Sequence, residues 1–128
     1  MKILMVEDDE FSREGFTRFL TLKGHRVVEA SNGEQAVTAA SRETFDIVFL
    51  DVKMPKLDGI SACQLIHTTQ PDAKILLMTG YRVDDDMQRR VEGKVTGWLQ
   101  KPVTHHAIVE AIERIAANGS STGAKAAE

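Results

Sequence analysis

Cysteine is nearly absent from this chain: Cys63 stands alone among 128 residues. A lone thiol excludes an internal disulfide, and its place in a helical apolar pattern marks it as a core residue of a protein from a reducing compartment. Long apolar runs are missing too. Stretches such as Ile47 to Leu50 and Ile75 to Met78 fall far below the roughly 20 residues that cross a bilayer. The opening run from Ile3 to Val6 gives way to acids too soon for a signal peptide. A cytoplasmic location without a membrane partner is expected. There is also no excess of positive charge. The net charge of −3 supplies no basic field for nucleic acid, so direct DNA binding is not expected. The four histidines, His25, His67, His105 and His106, lack metal-site spacing and read as surface or capping residues.

What is present is the composition of a globular domain, with 42% hydrophobic and 27% charged residues. The length suits one domain whose core lies under helices on both faces of a sheet. Short apolar runs recur at Ile3-Leu4-Met5-Val6, Val27-Val28, Ile47-Val48-Phe49-Leu50, Ile75-Leu76-Leu77-Met78 and, more weakly, Gly97-Trp98-Leu99. Runs that do not alternate with polar residues predict strands covered on both faces, as in a parallel sheet.

Between the runs the apolar spacing becomes helical. Phe16, Phe19 and Leu20 form one stripe, and Ala36, Val37 and Ala40 a second. Ile60, Cys63 and Ile66 form a third, and Ile108, Ile112 and Ile115 another. Val83, Met87 and Val91 predict a further helix opened by Asp84-Asp85-Asp86, whose charges favour the helix dipole. Strand and helix thus alternate five times, which predicts an α/β domain with right-handed crossovers over residues 1–117. Residues 118–128, small and polar, read as a flexible tail or the stub of a linker. Neither a repeat nor a second domain is visible.

In an open parallel sheet, ligands bind beyond the carboxyl ends of the strands. The first run ends in Glu7-Asp8-Asp9, the third in Asp51, the fourth in Thr79 and the fifth in Gln100-Lys101. Singly, each has a plain explanation, because acids after strands cap helices and lysines are usually solvated. Asp51, flanked by Leu50 and Val52, is the least ordinary. Carboxylates from Glu7, Asp8 and Asp51 brought together would take up protons or require a cation. An all-oxygen ligand set favours Mg²⁺, with Mn²⁺ as a substitute. A metal with open positions, a nucleophilic aspartate, a hydroxyl and a lysine would together form a site for phosphoryl transfer.

These residues resemble the receiver domain of two-component response regulators, a CheY-like, flavodoxin-type fold, over about residues 2 to 117. The likeness rests on Val6-Glu7-Asp8, Leu50-Asp51-Val52-Lys53-Met54-Pro55 with Asp58-Gly59, Met78-Thr79-Gly80, and Lys101-Pro102. It implies a doubly wound, five-stranded parallel sheet in the order 2-1-3-4-5 with five helices, a three-layer sandwich. It further implies that Asp51 takes a phosphoryl group from a histidine kinase or histidine phosphotransfer protein. Asp8, Asp51 and the backbone carbonyl of Lys53 would hold Mg²⁺, with Glu7 assisting through water. Lys101 and Thr79 would contact the phosphoryl group, Trp98 would act as the switch aromatic, and a cis peptide bond would join Lys101 to Pro102. The expected output is a changed surface around the fourth helix, fifth strand and fifth helix, read by an output protein or domain or by a phosphorylation-dependent homodimer.

Three features modify that expectation. Lys53 and Tyr81 lie two positions after Asp51 and Thr79, and as large side chains are expected to shield the phosphoryl group from water and prolong its lifetime. The segment Val91-Glu92-Gly93-Lys94 places glycine one residue earlier than usual, so the end of the fourth helix is expected to be reshaped. Trp98 stands where tyrosine or phenylalanine is more usual. Alternative readings are a receiver belonging to a larger regulator with a DNA-binding or enzymatic output, a docking-only pseudo-receiver, and an Mg²⁺-dependent aspartyl-phosphate phosphatase. Lys53 weighs against the last, because such enzymes place a second aspartate there. The leading expectation is therefore a switch and not a turnover enzyme.

Overall fold

The computed structural model describes residues 1–80 and 82–120. Five strands, β1 (Lys2–Val6), β2 (Arg26–Ala30), β3 (Ile47–Asp51), β4 (Lys74–Thr79) and β5 (Gly97–Gln100), alternate with five helices. The helices are α1 (Glu10–Leu22), α2 (Gly33–Arg42), α3 (Gly59–Thr69), α4 (Asp85–Val91) and α5 (His105–Ser120). All neighbouring strands pair in parallel, in the order β2-β1-β3-β4-β5. This is the doubly wound arrangement and strand order expected from the sequence.

The uninterrupted apolar runs are explained by the two cores they serve. Side chains along a strand alternate between faces, so Leu4, Val6, Val48, Leu50, Ile75 and Leu77 point to one side. There they join Ala36 and Ala40 of α2, Ile60, Cys63 and Ile66 of α3, and Val91 of α4. The alternate residues Ile3, Met5, Ile47, Phe49, Leu76 and Met78 meet Leu20 of α1 and Ile108, Ile112 and Ile115 of α5 on the other. Each such Leu or Ile, when fully buried, contributes about 1.5–3 kcal/mol. Cys63 is completely buried, and burial pushes its thiol up to about 11. It is a packing residue.

Helix starts follow from caps. Asp9, Asn32, Asp58 and Asp84 each accept a backbone N–H at the head of α1, α2, α3 and α4, at 2.8 or 2.9 Å. Thr104 does the same for Ala107 at the start of α5, at 3.0 Å. Helix α4 begins at Asp85, so Val83, expected on its apolar stripe, lies before the Asp84 cap. The helix ends at Val91, and Gly93 turns the chain in the left-handed region at φ 76°. Helix α5 continues to Ser120, past position 117, where the sequence turns small and polar, and residues 121–128 of the expected tail lie outside the described residues. His105 is exposed, as expected, and its ring also stacks on Phe19 at 4.1 Å, between α5 and α1.

Two glycines have opposite roles. At Gly59 a Cβ would collide with the backbone oxygen of Asp51 and come within 2.6 Å of the Val52 Cα, whereas at Gly15 on α1 it would meet nothing within 4 Å. Gly59→Ala should therefore lower the unfolding free energy by about 2 kcal/mol or more through overpacking. Gly15→Ala should raise it by about 0.5–1 kcal/mol through helix propensity. Urea denaturation of both variants checks the pair.

Candidate functional site

The chain leaves β1 toward β2 on one side and returns through β3 toward β4 and β5 on the other, so the winding reverses between β1 and β3. Crevices form at the carboxyl ends of strands where that happens. Glu7 follows β1 directly, Asp51 is the last residue of β3, Thr79 the last of β4, and Lys101 the first after β5. Backbone bonds fix the strand ends: the Glu7 N–H donates to Ala30 O at 3.1 Å, Val52 N–H to Met78 O at 2.9 Å, and Lys101 N–H to Thr79 O at 2.8 Å. Sequence positions far apart are thereby held at one sheet edge.

At this edge, Asp51 is only 2% exposed and Glu7 only 3%. The Lys101 ammonium donates to Asp51 Oδ2 at 2.6 Å and pairs with Glu7 Oε1 at 3.2 Å. The other oxygen, Asp51 Oδ1, accepts the Lys53 backbone N–H at 3.3 Å. Asp8 is exposed beside them, and Glu7, Asp8 and Asp51 each offer an oxygen within 4.8 Å of the others. A cavity of about 600 Å³ opens here, lined among others by Asp8, Asp51, Lys53, Thr79 and Lys101. Thr79 is 2% exposed in its wall.

The electrostatics are those of an unbalanced cluster. Partial burial, a hydrogen bond that the protonated Asp8 carboxyl donates to Glu7, and the Glu7 charge hold Asp8 above its ordinary value. Burial alone would depress Lys101, but its bonds and charge pairing with Asp51 and Glu7 outweigh that, and its ammonium is held above the ordinary value. One ammonium faces three carboxylates. This oxygen-only set is of the kind that holds Mg²⁺. Asp9, the third acid of the run, is not in the cluster. It caps α1, and its bond from Ser12 lowers its pKa.

The remaining expected residues fall in different places. The Lys53 side chain is exposed at the cavity, and Tyr81 lies outside the described residues. The Lys101–Pro102 bond is cis. Trp98 is half-buried opposite Leu77 and packs against the core on the α2, α3 and α4 side, away from the carboxylates. One participant had no signal in the sequence. Arg13 of α1 donates through Nη1 to the Glu7 backbone oxygen at 2.8 Å and pairs through Nε with Glu29 of β2 at 2.9 Å. Only the pairing of β1 with β2 brings those partners together.

The family model for the response regulator receiver domain matches residues 3–113. Response regulator protein FleR of Pseudomonas aeruginosa is 36% identical over 113 residues, covering 88% of this chain and 24% of FleR. More generally, the chain spans about a quarter to a half of the curated relatives it matches. A CheY-like receiver from Methanospirillum hungatei shares the fold with a TM-score of 0.86 at 22% identity, over 94% of this chain and 97% of that one. The receiver domain of a sensor histidine kinase from Pseudomonas aeruginosa, with a magnesium ion coordinated in its active-site cleft, is 27% identical with a TM-score of 0.78, over 88% of this chain and 94% of its own. With its five-stranded sheet and its acidic cluster at the strand ends, this chain belongs to the response regulator receiver domain family.

Proposed function

We propose that Asp51 accepts a phosphoryl group from a phosphohistidine of a histidine kinase or phosphotransfer protein, with Mg²⁺ held by Asp8, Asp51 and the Lys53 carbonyl and assisted by Glu7. The observation that carries this reading is the Lys101 ammonium 2.6 Å from Asp51 in a carboxylate cluster that opens on a cavity. In the transfer, an Asp51 oxygen attacks phosphorus, the N–P bond of the donor breaks, and the imidazole leaves with the bonding electrons. The product is an acyl phosphate. When bound, the metal neutralises phosphoryl oxygens and orients the group for in-line attack. Lys101 exchanges its bond to Asp51 for one to a phosphoryl oxygen, and the Thr79 hydroxyl donates another. Later attack of water on phosphorus regenerates the carboxylate. Each chain holds one phosphoryl group as a signal, so the protein is a switch and not a turnover enzyme.

The switch is read at the surface of α4, β5 and α5. Thr79 and Trp98 lie on adjacent strands, which supports a coupled movement of Thr79 toward the phosphoryl group and of Trp98 inward. A specific observation favours a place in a larger regulator: the matched relatives are two to four times as long as this chain. In that setting the surface acts on an attached output domain or on a second copy.

Incubation with Mg²⁺ and a small-molecule phosphodonor should add one phosphoryl group to the intact mass, and Asp51→Asn should abolish the addition. A wild-type mass that does not change would overturn the reading. Beryllofluoride should shift the emission of Trp98, the only tryptophan; unchanged emission would remove its switch role. Lys53 and Tyr81 are proposed to obstruct attacking water, so Lys53→Ala with Tyr81→Ala should shorten the phosphoryl lifetime several-fold. Equal lifetimes measured by loss of the labelled group would count against that role.

A further inference from the structure

Arg13 is the cation beside the site that the transfer reaction does not use. Its side chain is only 15% exposed, and both of its bonds are fully directional: Nη1 to the Glu7 backbone oxygen at 2.8 Å and Nε to Glu29 Oε1 at 2.9 Å. The Glu7 N–H is meanwhile bound to Ala30 O at 3.1 Å. Glu7 is therefore gripped at its N–H by the edge strand β2 and at its C=O by α1. That C=O belongs to the peptide joining Glu7 to Asp8, so its orientation sets the direction in which the Asp8 Cα and carboxylate leave the strand. Glu29 stands opposite Met5 in the β1–β2 register and balances the guanidinium charge. A planar guanidinium presents two donors in a fixed fork, which a lysine ammonium does not.

We propose that Arg13 is a positioning residue for metal binding, clamping the Glu7–Asp8 peptide so that the Glu7 and Asp8 carboxylates are aligned with Asp51 for a divalent cation. This rests on the reading of those carboxylates as the Mg²⁺ site. Charge and geometry predict opposite results. A positive charge near a cation site weakens cation binding, so if Arg13 acted by charge alone, its removal would tighten Mg²⁺ binding and leave the Glu29 charge to favour it further. If it acts by position, removal loosens it.

The test is calorimetric titration of Mg²⁺ into the full chain and into Arg13→Gln, Arg13→Lys, Glu29→Gln and Asp8→Asn, with melting of each in metal-free buffer. Arg13→Gln should weaken Mg²⁺ binding about tenfold or more, in the range found when groups supporting metal ligands are removed. Arg13→Lys should recover little of it, and Glu29→Gln should weaken binding to a lesser extent. A lower melting temperature with unchanged or tighter Mg²⁺ binding in Arg13→Gln, while Asp8→Asn abolishes binding, would overturn the positioning role and leave the metal site standing. No Mg²⁺ uptake by the wild-type chain would overturn both. Should Arg13→Gln fail to fold, Arg13→Lys decides, because it keeps the charge and loses the fork, and wild-type affinity in that variant defeats the proposal.

Discussion

The ion pair between Lys101 and Asp51 is the contact on which the rest of the site depends. Two like charges separated by the 4.8 Å that bounds the carboxylate cluster repel by roughly 3 kcal/mol at an effective dielectric constant of about 20. Glu7 and Asp51 carry this repulsion while almost wholly buried. Lys101 offsets it by touching both, but one ammonium cannot balance three acids. The remaining deficit of positive charge is the physical basis on which cation binding is proposed. The proposed phosphoryl chemistry would use the same groups, because the ammonium that pairs with Asp51 is already within reach of the group Asp51 would receive.

Holding such a cluster requires a stiff frame. The β3 to α3 loop is pressed against the Asp51 backbone at Gly59, whose N–H also donates to Val52 O at 2.8 Å, and Leu57 packs directly over Gly33 of α2. Within this loop Lys56 adopts φ 71°, a left-handed conformation that costs a non-glycine residue about 1 kcal/mol. The cap from Asp58 to Ser61 anchors the loop's far end. Strain of this kind persists where surrounding contacts determine the backbone, and here they determine the floor of the cavity. Arg13 performs a comparable service at the end of β1, from the opposite face of the sheet.

On the far side of β4 the structure is shorter and more open. Helix α4 is confined to Asp85–Val91 and stopped by Gly93 in the left-handed region. Gln64 of α3 donates to the Arg90 backbone oxygen at 2.7 Å, and Val91 is fully buried, so the short helix is fixed at its carboxyl end. Trp98 packs against the same core. The parallel pairing of β4 with β5 places Thr79 opposite Gln100 and Leu77 opposite Trp98. A displacement at the acidic site would thus have a short mechanical route to the α4 and β5 surface.

Strand and helix identity were legible because hydrophobic burial acts locally in sequence. The runs at Ile3, Ile47 and Ile75 read as strands covered on both faces and the stripe of Ile60, Cys63 and Ile66 as a helix, and the structure has them so. Residue types at the strand ends also announced the acidic site around Asp51. The receiver-like motif assigned Glu7 and Asp8 of the run Glu7-Asp8-Asp9 to the cluster, as the structure has them, but the sequence could not show that Asp9 is the helix cap, because that depends on where α1 begins. Nor could it identify Val83 as lying before α4, since its spacing matched the stripe that the Asp84 cap cuts short. Arg13 was silent for a deeper reason. Its partners are a carbonyl just past the end of β1 and a carboxylate on β2, and their separation is set by hydrogen bonding between strands. Composition and periodicity determined which groups this protein places at the strand ends; only the tertiary pairing of distant strands decided which of them touch, because electrostatic and hydrogen-bond energies depend on distances in space and not on spacing along the chain.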